Sequence, residues 1–176
     1  MLAADVLAPD VADVPDVARA VTELFTAHHL ELVRLALLIV GDLAAAEDVV
    51  QDVFERLHRH WPSLRDGASG LAYARASVLN GCRSVHRRNT VARKYTPQLA
   101  AHPGDCPDTA ETSAERSSML TALRELPRRQ REVLVLRYYA DLDVAEISAT
   151  LGITASAVRS TMSRGLTALA HGLREN

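Results

Sequence analysis

Residues 146–165 read EISATLGITASAVRSTMSRG, and this stretch decides the fold. Gly152 supplies the backbone freedom for a tight turn between two helical patterns. Asp143 is placed to cap the helix VAEISATL, with Glu146 three residues on, as in a capping box. Ile153 is the apolar pin of the turn, and Thr154 is placed to cap the next helix, ASAVRSTMSRGLTALAHGL. On that helix Val158, Met162, Leu166 and Leu169 recur at four, four and three, a period that buries one face. Ala155, Ser156, Arg159, Ser160, Ser163 and Arg164 are left on the other. A helix–turn–helix offers the N-terminal part of its second helix to the DNA major groove. Small residues at 155 and 156 allow close approach, Arg159 and Ser160 reach bases or phosphates, and Arg164 suits a phosphate. The competing reading of this unit alone is a core helical hairpin with a solvated face.

Upstream, SSMLTALREL (117–126) is a short amphipathic helix, and PRRQREVLVLRYYADL (127–142) is the next. Pro127 suits a first helical turn, and Val133, Leu134, Leu136 and Tyr139 face inward. Residues 90–116, with TPQLAAHPGDCPDTAETSAE, lose all periodicity and read as a flexible acidic linker. About 25 such residues reach about 80 Å when extended. That exceeds two turns of duplex at about 34 Å each, so one chain can touch two separated DNA sites.

The first half is helical too. Val21, Leu24, Phe25, Leu32, Leu35, Leu38 and Ile39 recur at helix spacing between about Val17 and Val40. Gly41 ends that helix and Asp42 caps the next, in which Val50, Val53, Phe54, Leu57 and Trp61 form an apolar stripe. Asp48, Gln51, Asp52 and Glu55 lie opposite, and Pro62 stops the helix. SLRDGASG (63–70) reads as a loop, followed by a helix from about Leu71 to Arg88. Residues 1–18 carry Pro9, Pro15 and repeated Asp, and read as a disordered acidic tail. The expected architecture is therefore all-α: two small helical domains, 19–89 and 117–176, joined by a flexible linker.

The net charge of −2 conceals strong segregation. Residues 1–55 hold 11 Asp/Glu against 2 Arg, residues 56–94 hold 9 Lys/Arg against 1 Asp, and residues 95–115 hold 4 acids and no base. A basic block between two acidic ones suggests separate partners for separate surfaces. No 18-residue apolar window exists, so no membrane insertion is expected. The Asp-rich N-terminus is not a secretory signal. Cys82 and Cys106 form no CxxC pair and read as reduced cytosolic thiols. His28–His29 and His58/His60 do not share helix faces, so no metal or other cofactor is expected. Neither a Gly-rich phosphate loop nor a nucleophile elbow is present, and no enzymatic activity is expected.

Three segments together resemble a known family. AEDVVQDVFERLHRHW (46–61), YARASVLNGCRSVHRRN (73–89) and LRELPRRQREVLVLRYYADLDVAEISATLGITASAVRSTMSRGLTAL (123–169) occur in the order and spacing of the bacterial extracytoplasmic-function (group IV) sigma factors of the sigma-70 family. The similarity is to a short actinobacterial-type subfamily. It implies promoter-specific transcription initiation in the cytoplasm, with core RNA polymerase as partner through the β′ clamp helices and the β flap, and an anti-sigma factor as regulator. Asp48, Gln51, Asp52 and Glu55 would dock on polymerase. Tyr73, Arg75, Asn80, Arg83, Arg87 and Arg88 would melt and read the −10 element, and the second helix of the helix–turn–helix the −35 element. The 63–70 segment would capture an everted base. The chain departs from the family pattern at Ser84, Thr161 and Ala155, where many relatives carry Asp, Arg or Lys, and Glu, and at Tyr73, where many carry Trp. Those departures bear on which promoter sequence is read. Two other readings are a free-standing helix–turn–helix regulator with an N-terminal sensor or partner-binding domain, and an adaptor that occupies polymerase without reading DNA. The basic block in the first half weighs against both.

Overall fold

A computed structural model describes residues 14–64, 67–95 and 113–175. These residues form seven α-helices and a short 3₁₀ turn, with no strand among them. Helices α1 (Val14–Val40), α2 (Leu43–His60) and α3 (Gly67–Tyr95) make one three-helix unit. Helices α4 (Ser113–Glu125), α5 (Arg128–Tyr138), α6 (Val144–Leu151) and α7 (Ala155–Glu175) make the second.

Local signals place the element ends. Gly41 takes φ +83° after α1, the left-handed conformation that favours glycine, and its N–H donates to the Leu37 carbonyl at 2.8 Å. Asp42 then caps α2, its Oδ1 accepting from the Ala45 N–H at 2.8 Å. α2 stops at His60, and Pro62 sits in the 3₁₀ turn Trp61–Ser63 that follows. Pro127 stands one place earlier than expected, as the residue before α5, where its carbonyl accepts from the Gln130 and Arg131 N–H groups.

The sequence misplaces several boundaries. Residues 67–70, read as part of a loop, form the first turn of α3; Arg65 and Asp66 lie outside the described residues. α3 also runs past Arg88 to Tyr95, and α4 begins at Ser113, so both ends of the expected 90–116 linker are helical. The remainder of that segment, 96–112, lies outside the described residues, as do positions 1–13 of the expected tail, whose positions 14–18 already belong to α1.

The aliphatic core follows the helix period. Leu32, Leu35, Ile39, Val50, Leu57 and Leu79 are sealed from solvent. Each such side chain is worth about 1.5–3 kcal/mol relative to exposure. α2 and α3 approach closely because position 81 has no side chain: a Cβ there would lie 2.7 Å from Val49 Cγ1. Phe25 departs from expectation. It is 42% exposed and meets Phe54 edge-on, centroids 4.9 Å apart, at the rim of the core.

The two units are packed on each other. α1 lies against α4 and α5, α3 touches α6, and one buried apolar cluster runs through both halves. α5 is at the centre, with Arg131 to Leu136 all buried. A helix buried all round has no solvated face to spare for charge, yet Arg131 and Glu132 lie inside it.

Candidate nucleic-acid and polymerase interfaces

The helix–turn–helix is built as its sequence suggests. The Asp143 carboxylate accepts from the Glu146 N–H at 2.8 Å, and the Glu146 carboxylate accepts from the Asp143 N–H at 2.7 Å. Gly152 takes φ +64°, and Ile153, half-buried, packs on the core. Thr154 Oγ1 accepts from the Ala157 N–H at 3.2 Å and caps α7. Val158, Thr161 and Gly165 turn α7 inward. A Cβ at Gly165 would stand 3.2 Å from Leu134, so α7 rests directly on α5 there.

Ser156, Arg159, Ser160, Ser163 and Arg164 are exposed on the outer face of α7, and Ala155 is half-buried rather than free. Arg164 Nε donates to the Ser160 carbonyl at 3.2 Å, holding that guanidinium along the helix. One sequence expectation fails on α7: Leu166 is 40% exposed instead of buried, while Thr161, at 8% exposure, belongs to the buried side.

α2 presents Asp48, Gln51, Asp52 and Glu55 together, all exposed. Arg56 pairs with Asp52 at 3.3 Å, and the Gln51 amide donates to Glu55 at 3.5 Å, both at i,i+4 on the surface. Such pairs are worth little and break easily for a partner.

The residues expected to read the −10 element divide into two groups. Arg87 and Arg88 are exposed on α3. Tyr73 is half-buried and stacks on His60, ring centroids 5.9 Å apart. Trp61 lies over the start of α3, where a Cβ at Gly70 would come within 2.7 Å of its ring. Arg75 and Arg83, in contrast, are engaged within the chain. Arg75 Nη2 donates to Glu31 at 2.7 Å. Burial raises the Glu31 carboxyl pKa, but hydrogen bonds from Arg75 and His28 outweigh it and hold the group below its ordinary value. Arg83 binds Glu132 of α5 through Nε at 3.0 Å and Nη2 at 3.1 Å, and its Nη1 donates to Asn80 Oδ1 at 3.1 Å.

The sequence analysis does not single out Glu132. Its side chain is 0% exposed and is met also by Arg129 at 3.0 Å and Arg128 at 3.6 Å. Arg131 beside it donates to the Ile39, Arg124 and Leu126 carbonyls. The run VLVL at 133–136 was the available signal: four apolar residues in a row on a helix imply burial on every side, and so burial of the charges at its start. Cys82 is sealed, and burial pushes its thiol up to about 12, which keeps it protonated and unreactive.

Residues 24–97 match the family described as sigma-70 region 2, and residues 116–169 match sigma-70, region 4. The chain is 32% identical to the RNA polymerase sigma-E factor of Streptomyces coelicolor over 138 residues, covering 78% of this chain and 77% of that one. The protein belongs to the extracytoplasmic-function RNA polymerase sigma factors. It is also 31% identical to the ECF RNA polymerase sigma factor SigL of Mycobacterium tuberculosis, over 86% of this chain and 88% of the relative. The fold is similar to that of the sigma factor RpoE from Bartonella quintana, solved in complex with the anti-sigma factor NepR (TM-score 0.75, 19% identity, 90% of this chain and 97% of that one). CnrH, solved with the cytosolic domain of CnrY, is similar in fold (TM-score 0.66, 22% identity, 93% and 98%). As a sigma factor, the protein engages core RNA polymerase and promoter DNA and directs promoter-specific initiation of transcription. Among the described residues no helix is long and apolar enough to cross a membrane.

Proposed function

We propose that this sigma factor divides its work between four helices. The acidic face of α2 (Asp48, Gln51, Asp52, Glu55) seats the chain on the polymerase β′ clamp helices. The α3 face with Tyr73, Arg75, Asn80, Arg83, Arg87 and Arg88 opens and reads the −10 element. The outer face of α7, carried by α4–α7 as a unit that also meets the β flap, reads the −35 element. Two promoter-binding modules, about 19–89 and 117–176, are joined by the acidic segment between them. The chemistry of RNA synthesis belongs to the polymerase, and the chain supplies recognition in the cytoplasm, where polymerase and chromosome meet. An anti-sigma factor regulates it, by analogy with RpoE, which forms a complex with the anti-sigma factor NepR.

The observation that carries this reading is the split of α7. Val158, Thr161 and Gly165 bury one side while Ser156, Arg159, Ser160, Ser163 and Arg164 stand exposed on the other. A polar helix face of that kind behind a capped, glycine-terminated helix suits the major groove. Transcription with purified core polymerase tests it. Addition of the chain should produce discrete transcripts from a cognate promoter that core enzyme alone does not make. Failure at every promoter of a genomic library would overturn the reading.

A further inference from the structure

We propose that Glu31 of α1 is a positioning residue for the −10 element, and that it acts by holding Arg75 on the inner side of α3 so that the helix turns its reading row outward. This inference rests on the assignment of α3 to the −10 element.

Helix geometry sets Arg75 apart from the rest of its group. At 3.6 residues per turn it lies about 200° round α3 from Tyr73 and about 140° from Asn80. Asn80, Ser84, Arg87 and Arg88 are exposed, whereas the Arg75 side chain keeps 19% of its surface. Its neighbours along the same row are Val78, Leu79 and Cys82, all buried. Further along, Cys82 Sγ meets the Ala36 carbonyl of α1 at 4.0 Å and His86 Nε2 the Ile39 carbonyl at 3.1 Å. Arg75 therefore belongs to the α1–α3 seam and serves the −10 element from behind the outward row.

Nor does Arg75 keep a fork for DNA. A guanidinium grips a phosphate through two parallel N–H groups, and both of its two-donor edges include Nη2. That Nη2 donates to Glu31 Oε1 at 2.7 Å, and Nε is buried. Glu31 is fixed from its other side as well, with His28 Nδ1 at 3.0 Å from Oε2.

Packing fixes the start of α3 only weakly against rolling. Between positions 68 and 77 the residues it buries are Gly70 and Ala74, which offer no large side chain to interlock. A short, directional ion pair supplies the orientation that small side chains do not. Side chains reach about 5 Å from a helix axis, so a roll of about 20° moves their tips by about 2 Å. A recognition site has to be held within about 0.5 Å.

The sign of one substitution separates positioning from direct contact. If Arg75 gripped a phosphate, Glu31 would compete with DNA for it, and Glu31→Gln would tighten binding. A positioning residue gives the opposite sign. Holoenzyme made from the full chain and core polymerase is titrated with a labelled −10 single strand and, separately, a −35 duplex, over a salt series. Glu31→Gln should weaken −10-strand binding about fivefold, with the salt slope and the −35 affinity unchanged. Arg75→Ala should do the same, without the drop of about one in slope that a lost phosphate contact gives. Exchanging the pair, Glu31→Arg with Arg75→Glu, should bring −10 binding back toward wild type, which a phosphate contact does not permit. Tighter or unchanged −10 binding by Glu31→Gln, equal losses at both elements, or a lowered slope for Arg75→Ala each overturns the positioning role. If circular dichroism shows that the exchanged pair has lost its helices, the sign for Glu31→Gln decides alone. Asn80→Ala and Arg87→Ala keep the two questions apart. Should neither weaken −10 binding, the assignment of α3 fails; should both weaken it while Glu31→Gln does not, only the role of Glu31 fails.

Discussion

Arg131 closes the end of a helix it does not belong to: its Nη1 donates to the Ile39 carbonyl of α1 at 2.7 Å. The same guanidinium reaches the Arg124 carbonyl at 2.7 Å and the Leu126 carbonyl at 3.2 Å at the end of α4. The last carbonyls of any helix lack partners within it, and one planar cation serves two such ends here. Arg131→Met removes these donors; the Ile39 carbonyl keeps the His86 ring nitrogen at 3.1 Å, while the Arg124 and Leu126 carbonyls lose their side-chain partner. It should cost about 1–3 kcal/mol in urea unfolding, the range for a stranded buried acceptor. Arg131→Lys, with a single point of charge, should fall between.

Gly152 offers a cleaner backbone test. It takes φ +64°, and a Cβ added there would meet nothing within 4 Å. Gly152→Ala therefore measures conformational strain alone, expected at about 1–2 kcal/mol. Gly152→Asn should cost less, because Asn tolerates the left-handed region. Equal losses for both would mean that the turn rearranges.

Recognition by α7 separates two arginines. Arg159→Ala should weaken binding to −35-containing duplex by about 1–3 kcal/mol and random duplex much less, if the side chain reads a base edge. Arg164, aligned along the helix by its bond to Ser160, should behave as a phosphate contact. Its replacement by Ala should weaken all sequences alike and lower the salt slope by about one. Fluorescence anisotropy across a salt series distinguishes them.

Docking on polymerase should depend on sign. Asp52→Arg with Glu55→Arg reverses the exposed face of α2 without touching the core. Pull-down with core enzyme should be lost while the thermal midpoint stays within a few degrees, since exposed pairs contribute only about 0–1 kcal/mol.

Acid should loosen the protein in two stages. Burial, aided by Arg131 and Arg128, lowers the His86 pKa below its ordinary 6.5, against the Ile39 carbonyl and Glu132, which favour the proton. The folded state therefore holds neutral imidazole while the unfolded chain takes up a proton. The stability this gives is present above pH 6.5 and declines as pH falls below it. Glu31, held below its ordinary 4.5, adds a second loss: its contribution is intact above 4.5 and fades as pH drops toward its folded pKa. Urea unfolding at pH 7.5, 5.5 and 3.5 should show both, and His86→Gln should flatten the first step only.

The helix–turn–helix was legible because its signals are local: two side-chain caps, one glycine and one apolar pin within a dozen residues. The start of α3 was not. Gly67 and Gly70 look like turn residues, and their low helix propensity is overridden by packing, since Gly70 leaves room for the Trp61 ring. The far end of α3 lacks an apolar period, so nothing in it marks Tyr95 as helical. Leu166 was misplaced because the four-residue spacing ignored Gly165, whose contact with Leu134 occupies that row. The exposed candidates on α2 and α7 could be read from amphipathicity. The ionic knot at Glu132 could not, because its partners lie 49 positions apart in the chain.

The outward residues of α7 contribute nothing to the packing that holds it on α5. Its inward row is Val158, Thr161 and Gly165, with Met162 half-buried beside them. Drift on the outer row therefore leaves the packing intact, at no more than the cost of helix propensity, and under the proposed reading a lineage can retune which genes it switches on while inheriting the same scaffold.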